Sequence, residues 1–276
     1  MRSQWQCLLQ NLGSWQGSFA QLNCQGKLLE DIPSETILEL KEDRQTLRQT
    51  VRRFIDGQPK DLAKDLILEY RSLNRSTTFF ENGAFSQGSL QFAPYAEFGA
   101  EMGLIYGDRR LRLVPLYDKA AQLDRITLIR EHLPHSITTE RPTLTLDDLL
   151  GKWEGEAITI AADWLEPEVI STSTEWNQDG DRVTMSLQMG AQILTSTAII
   201  NSLHPQILTF PENNIQTLFL PDGASLTCPL AIASRQPFRL SVSWLLEPNL
   251  HQRMVRAYDA KGAWSSLSLV TERKAL

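Results

Sequence analysis

The sequence predicts an all-β protein built from two antiparallel β-barrels in tandem, each preceded by a short helix. A Gly-x-Trp-x-Gly motif occurs at residues 13–17 and again at 151–155, which indicates that one unit was used twice. After each motif, short strand-like stretches alternate with turn residues, and no long helical pattern interrupts them. This spacing is typical of a barrel or a sandwich.

A short helix is expected before each motif. Ser3 can cap the first helix, in which apolar residues recur at helical spacing, and Gly13 can end it. Thr145 can cap the second helix, acidic residues occupy its first turn, and Gly151 can end it.

The strands that follow each motif are short. In the first unit they are expected at 36–40, 46–54, 66–70, 77–80 and 97–107. In the second unit they include 170–176, 183–189 and 238–247. A turn is expected at Asp56 and Gly57. The strands at 97–107 and 238–247 alternate apolar side chains with mostly small or polar ones, so each should have one buried face.

The ends of the two units also match. Residues 111–118 and 252–259 both finish with Tyr-Asp before a turn, and residues 125–131 and 266–272 both finish with Glu. All these matches lie about 140 residues apart. The predicted division is a first barrel at 1–133, a linker at 134–142 and a second barrel at 143–276.

Composition and charge exclude several classes of protein. The formal net charge of −6 argues against a nucleic-acid partner, because phosphate binding needs clustered Lys and Arg. No apolar run is long enough for a transmembrane helix, and the N-terminus does not resemble a secretory signal. The cysteines Cys7, Cys24 and Cys228 fit no zinc spacing and are expected to be free thiols. We therefore expect a cytoplasmic protein.

No catalytic constellation and no metal site is predicted. The sequence lacks the common hydrolase, zinc-protease and phosphate-loop motifs, and its cysteines have no nearby histidine. The His132-x-x-His135 pair lies in the expected linker, where a solvated role is favoured over a metal site. A function without catalysis is therefore favoured over an enzyme.

A ligand cavity is one interpretation of the apolar strand faces, and a filled core or an interface between the barrels is the other. Methionines favour an adaptable cavity, and an arginine in an apolar pocket could bind a carboxylate, unless it faces solvent or closes a barrel end. The candidate lining residues are Met185, Leu187, Met189, Phe238, Leu240, Val242, Trp244, Arg253 and Tyr258.

The helix, the Gly-x-Trp strand, the run of strands and the late basic residues together resemble the calycin superfamily, which includes lipocalins and fatty-acid-binding proteins. The resemblance implies calycin-like barrels in which the Trp seals one end and a late basic residue packs over it. The residues implied in this closure are Trp15, Trp153, Arg130 and Arg273, with Arg112 and Arg253 as alternative basic partners.

The duplicated form resembles an uncharacterised two-barrel calycin family of cyanobacteria and plastids, and more distantly the S-type phycobiliprotein lyases. This resemblance implies that a barrel binds an apolar or amphipathic small molecule, such as a bilin, another tetrapyrrole or a pigment-related lipid. One alternative is a bilin lyase that delivers its chromophore to a phycobiliprotein. The other is a non-catalytic assembly or scaffold factor with filled barrels, whose partner would be a photosynthetic antenna or assembly protein.

Overall fold

The computed structural model of the chain describes residues 2–55, 58–59, 65–164 and 166–275, so the turn predicted at 56–57 lies outside the described residues. Helix α1 spans Gln4–Leu8 and continues as a 3-10 turn at Leu9–Asn11. Ser3 caps α1 as expected, since its hydroxyl accepts a hydrogen bond from the backbone N–H of Gln6. The first unit consists of α1 and the ten strands that follow.

These strands form one antiparallel sheet. They are β1 (Gly13–Asn23), β2 (Leu28–Leu40), β3 (Leu47–Ile55), β4 (Gln58–Pro59), β5 (Leu66–Tyr70), β6 (Thr77–Phe79), β7 (Phe85–Gly88), β8 (Phe98–Tyr106), β9 (Arg109–Tyr117) and β10 (Leu123–His132). Their order is β4-β3-β2-β1-β10-β9-β8-β7-β6, with β5 paired to β3. Among the described residues β5 and β6 do not pair, so this sheet is open and the closed first barrel that we expected is not formed.

Helix α1 occupies the free edge of this sheet. The Gln4 side-chain amide donates to the Phe79 carbonyl at 2.9 Å and accepts from the Phe79 N–H at 2.7 Å. These are the backbone groups of β6 that a further strand would use. The helix thus covers the edge that barrel closure would have required.

The second unit is a closed antiparallel barrel of ten strands. Its expected helix is reduced to a single turn, α2 (Leu146–Leu149). The strands are β11 (Gly151–Ala161), β12 (Glu168–Asp179), β13 (Arg182–Met189), β14 (Gln192–Asn201), β15 (His204–Phe210), β16 (Ile215–Leu220), β17 (Ala224–Pro229), β18 (Phe238–Glu247), β19 (Leu250–Tyr258) and β20 (Trp264–Lys274). They pair in sequence order, and β20 closes the barrel on β11.

Trp15 and Trp153 occupy equivalent places in the two units. Each indole is 1 % exposed. Each indole N–H donates at 2.8 Å to the carbonyl four residues earlier, which belongs to Asn11 in the first unit and Leu149 in the second. The Trp of the motif therefore joins the end of the helix to the first strand in both units.

The two units pack through the outward faces of their sheets, with β8 lying against β18 and β19. Apolar side chains from both units form one buried cluster there. It includes Ala20, Leu22, Met102, Leu104, Leu113, Ile126 and Leu128 of the first unit and Leu218, Leu226, Leu240, Val242, Met254 and Leu267 of the second. A continuous apolar cluster therefore joins the two units.

This interface has approximate twofold symmetry. The Tyr117 hydroxyl donates to the Pro229 carbonyl at 2.8 Å, and the equivalent Tyr258 hydroxyl donates to the Ser89 carbonyl at 2.9 Å. Backbone bonds repeat the exchange: Phe92 N to Gly262 O, Ile232 N to Ala121 O, Leu123 N to Leu230 O and Trp264 N to Leu90 O. The contact resembles that between two copies of one subunit, and it gives the repeated Tyr of Tyr-Asp a structural role.

The second glycine of each motif lies where the first and last strands approach closely. A Cβ atom on Gly17 would lie 1.8 Å from the Arg130 carbonyl oxygen, and one on Gly155 would lie 1.9 Å from the Thr271 carbonyl oxygen. Backbone atoms cannot give way as a flexible side chain can. Only glycine therefore fits at these two positions.

Replacing Gly155 with alanine is expected to lower the free energy of unfolding by about 1–3 kcal/mol, because the strands must separate to admit the methyl group. Urea unfolding followed by circular dichroism measures this loss. Glu156→Ala, at the next and exposed position of β11, is the matched control. A loss at Gly155 no larger than that of the control would contradict the close approach.

Candidate functional site

A cluster of buried apolar residues around Trp153 shows which side of each strand faces the inside of the second barrel. The cluster consists of Leu144, Leu149, Trp153, Val183, Ala198, Leu208, Phe210, Phe219 and Leu245. Its members come from both sides of the barrel and from α2, so the barrel is closed at the Trp153 end. Along each strand, every second residue counted from a member of this cluster also points into the barrel.

One wall of the barrel interior is apolar. Met185, Leu187 and Met189 share the inward face of β13 with Val183. Val183 is buried, whereas the other three side chains are partly exposed. Three of the predicted lining residues therefore point into the barrel and are reached by solvent.

Arg253 lies on another wall of the interior. It shares the inward face of β19 with His251, whose ring centroid is 5.7 Å from that of Trp153. Its cross-strand neighbours are Ser243 on β18 and Val270 on β20. Its Nε and Nη2 atoms are buried, and within the described part of the chain they have no hydrogen-bond partner and no ion pair. Arg253 therefore presents two buried N–H donors without a partner inside the barrel.

The equivalent arginine of the first unit, Arg112, is fully paired. Its Nε and Nη2 atoms donate to the two carboxylate oxygens of Glu131 at 3.0 and 2.7 Å, and its Nη1 donates to Glu101 at 2.7 Å. Arg110 also donates to Glu131, at 2.7 Å. Burial raises the pKa of Glu131, but the two arginines outweigh it and hold this pKa at about 2.

The second unit keeps the arginine and one of its two glutamates but not the contacts between them. Ser241 occupies the position equivalent to Glu101. In each unit, this residue is the next inward-facing residue along the strand from the one that pairs with the arginine. Glu272 stands at the position of Glu131 and accepts a hydrogen bond from Thr174 at 2.8 Å. Two differences thus separate Arg253 from Arg112: Ser241 replaces Glu101, and Glu272 is bonded to Thr174 instead of to the arginine.

Two further inward groups lack partners among the described residues: the hydroxyl of Thr172 and Nε2 of His251. Burial, and secondarily the charge of Arg253, lowers the pKa of His251 to about 3, so its imidazole is neutral at physiological pH. Thr172 and Glu272 both pair with Gly155, which has no side chain, and His251 pairs with Glu272. Polar groups that can bind a ligand are thus gathered on this side of the barrel.

The cations over the two tryptophans differ from those that the resemblance implied. The Arg110 guanidinium lies 4.5 Å from the ring centroid of Trp15, and the Lys274 ammonium lies 5.3 Å from that of Trp153. Both distances are within the range of a cation–π contact. The end closure is thus of the implied kind, with other basic residues.

Arg130 lies on the outward face of β10, where it forms ion pairs with Asp31 and Glu140. Arg273 is exposed. The reason is strand alternation: the glutamate next to each arginine, Glu131 or Glu272, points inward, so the arginine points outward. Arg130 and Arg273 therefore do not cover the tryptophans.

Five of the predicted lining residues lie between the units instead of inside the barrel: Phe238, Leu240, Val242, Trp244 and Tyr258. Strand β18 is buried on both faces, because its outward face packs on the first unit. Arg256 lies on the outward face of the neighbouring strand β19 and is fully buried between the units. It donates to the Tyr258 hydroxyl at 2.7 Å and to the Ser86 hydroxyl at 3.2 Å. These side chains bind the units together.

The inward face of the first sheet forms a groove with two adjoining cavities of about 410 and 220 Å³. Glu101 and Val114 line both cavities, and Arg112 lines the smaller one. Arg112 and Glu101, which line this groove, are joined by the ion pair described above. The arginine of this groove is therefore paired, unlike Arg253.

The described residues contain neither a candidate metal site nor a candidate membrane-spanning helix. In the described ranges no group of three or more His, Cys, Asp or Glu side chains could hold a metal ion. No helix among the described residues is long and apolar enough to cross a membrane. The three cysteines are free thiols, as expected.

Comparison with known proteins identifies the family. Residues 1–136 match the N-terminal model of the domain of unknown function DUF3598, and a crystal structure of a DUF3598 protein of unknown function from Nostoc punctiforme covers the whole of both chains at 44 % identity with a TM-score of 0.92. The chain belongs to the DUF3598 family. Residues 140–275 of this DUF3598 chain match a second model, described as the C-terminal domain of biogenesis factor required for ATP synthase 1.

More distant similarity links the DUF3598 chain to the S-type phycobiliprotein lyase CPES from Guillardia theta. That match has 12 % identity and a TM-score of 0.33, and it covers 48 % of this chain and 90 % of the lyase. No protein of curated function matches the chain in sequence.

Proposed function

We propose that the second barrel binds an apolar or amphipathic small molecule in its interior. The observation that carries this proposal is the partial exposure of inward-facing side chains, Met185, Leu187 and Arg253 among them, in a barrel whose strands close completely. Such surface is reached through the barrel interior. Barrels of about eight strands can already hold one small ligand, and ten strands enclose more space.

The two walls of this interior suit an amphipathic molecule. The methionine-rich face of β13 can adapt to an apolar body. The opposite strands carry hydroxyl groups at inward positions, including Ser241, Thr159 and Ser268, the last two of which are hydrogen-bonded to each other at 2.8 Å. An apolar pocket with a few polar groups that fix orientation is the usual form of a small-molecule site.

A substitution that fills the interior tests this function. Val255 points inward on β19, is partly exposed and pairs with Ser241 and Ser268. We expect Nile red, an uncharged probe, to bind the wild-type protein, and Val255→Trp to weaken this binding at least about tenfold by occupying the site. Fluorescence titration measures both affinities.

Thr197→Trp, on the exposed outward face of β14, adds the same indole outside the barrel and is the matched control. It should bind Nile red as the wild type does. Failure of the wild type to bind the probe, or equal binding by Val255→Trp, would overturn the proposed function.

A second candidate function is favoured by the family match of residues 140–275. We propose on that basis a role as an assembly factor, with the ATP synthase as the partner. Deleting the gene should then lower the amount of assembled ATP synthase, measured by native gel electrophoresis. A normal amount of the assembled enzyme would contradict this candidate. The bilin-lyase alternative rests on sequence resemblance and remains a prediction.

A further inference from the structure

We infer that the ligand of the second barrel carries a carboxylate and that Arg253 binds it with Nε and Nη2. This inference rests on the proposed function, because it names the chemical class of the molecule that the barrel holds.

Two nitrogen atoms of the Arg253 side chain lack hydrogen-bond partners among the described residues. The Nε and Nη2 atoms of Arg253 are buried, although the side chain as a whole is partly exposed. Burying polar atoms without hydrogen bonds is costly. In the described residues no carboxylate of the chain pairs with these atoms. An anion from outside the chain would supply the missing acceptors, so these two donors favour an anionic ligand.

The geometry of these two donors suits a carboxylate. Nε and Nη2 lie on one edge of the guanidinium, and this edge binds a carboxylate through two parallel hydrogen bonds. In the first unit, Arg112 uses these two atoms to bind the carboxylate of Glu131. In the second unit, the same two atoms of Arg253 are the unpartnered ones. The ligand's carboxylate would therefore bind Arg253 through the same two atoms with which Arg112 binds Glu131.

The surroundings favour a singly charged group over a phosphate. Glu272 is buried on the adjacent strand at the next inward position, so an acidic side chain already lies near Arg253 and a doubly charged ligand is disfavoured. His251 is neutral and adds no positive charge. The opposite wall is the apolar face of β13. A monocarboxylate with an apolar body matches these three features together.

The test compares cis-parinaric acid with its methyl ester, which has the same apolar body without the charge. Arg253→Met keeps the length of the side chain and removes the cation. We expect this variant to bind the acid at least about tenfold more weakly than the wild type and to bind the ester with unchanged affinity. Arg273→Met removes an exposed arginine twenty residues along the chain and should leave both affinities unchanged.

Ser241→Glu provides a second test, because it restores the carboxylate that binds Nη1 of Arg112 in the first unit. Its negative charge beside Arg253 should weaken binding of the acid at least about tenfold and leave binding of the ester unchanged. If wild-type protein binds both probes equally and Arg253→Met changes neither, the inference is overturned while the proposed function stands. If wild-type protein binds neither probe, the proposed function fails as well.

Discussion

Replacing Asp222 with asparagine should destabilise the protein by about 3–5 kcal/mol, because it leaves a buried arginine unpaired between the units. Asp222 is 2 % exposed and accepts hydrogen bonds from the Arg109 side chain of the first unit and, at 2.9 Å, from the backbone N–H of Arg141. The Arg109 guanidinium also lies 5.2 Å from the ring centroid of Trp244. Asparagine suits this test because it tolerates the φ of +64° at this position.

Urea unfolding measures the loss, and Glu247→Gln is the matched control. Glu247 also bonds across the units, accepting from the Tyr106 hydroxyl at 2.5 Å, but that contact is exposed and should be worth less than about 1 kcal/mol. The double variant Arg109→Met with Asp222→Asn should recover part of the stability, since it removes the unpaired charge. Equal losses at Asp222 and Glu247 would show that the buried pair does not hold the units together.

Replacing Glu131 with glutamine should have a comparable effect of about 3–5 kcal/mol, because Arg110 and Arg112 are both buried and both depend on this carboxylate. The loss would fall on the first unit and not on the second barrel. Nile red binding by the second barrel should therefore survive at urea concentrations where the variant remains folded. A loss of unfolding free energy below about 1 kcal/mol would contradict the ion pairs of Glu131 with Arg110 and Arg112.

The lowered pKa of Glu131 predicts that the stability of the protein depends on pH. This pKa is about 2 in the folded protein and near 4.5 when unfolded, so the ionised form stabilises the fold fully above about pH 5. This contribution, on the order of 3 kcal/mol, should disappear as the pH falls from about 4.5 to 2. The difference in unfolding free energy between wild type and Glu131→Gln should shrink over that range. A difference that stays constant with pH would contradict the assigned pKa.

The repeat was predictable from the sequence because its causes are local. Gly155 is required by the close approach of two strands, and Trp153 by its bond to the end of the preceding helix. The constant spacing in sequence between the two units could be predicted from positions of this kind. The opening of the first sheet was not predictable, because it depends on Gln4 capping a strand edge that is distant in sequence. The domain boundaries given by 1–133, 134–142 and 143–276 remain a prediction.

The site was only partly predictable. Alternation shows which residues of β18 share a face, but it does not show whether a ligand or another sheet covers that face, and the face of Trp244 packs on the first unit. Met185 and Arg253 were named from residue type and do point inward. One signal was available and missed: Glu101 and Ser241 stand at equivalent positions, so the two units differ in charge around an arginine that both retain.

A crystal structure of the complex with a fatty acid that is brominated at its terminal carbon tests the central claim most directly. Anomalous scattering locates the bromine without reference to the protein model. We predict one bromine peak inside the second barrel, with the carboxylate bound by Nε and Nη2 of Arg253. A peak in the groove of the first sheet, or a second barrel filled by its own side chains, would contradict the account.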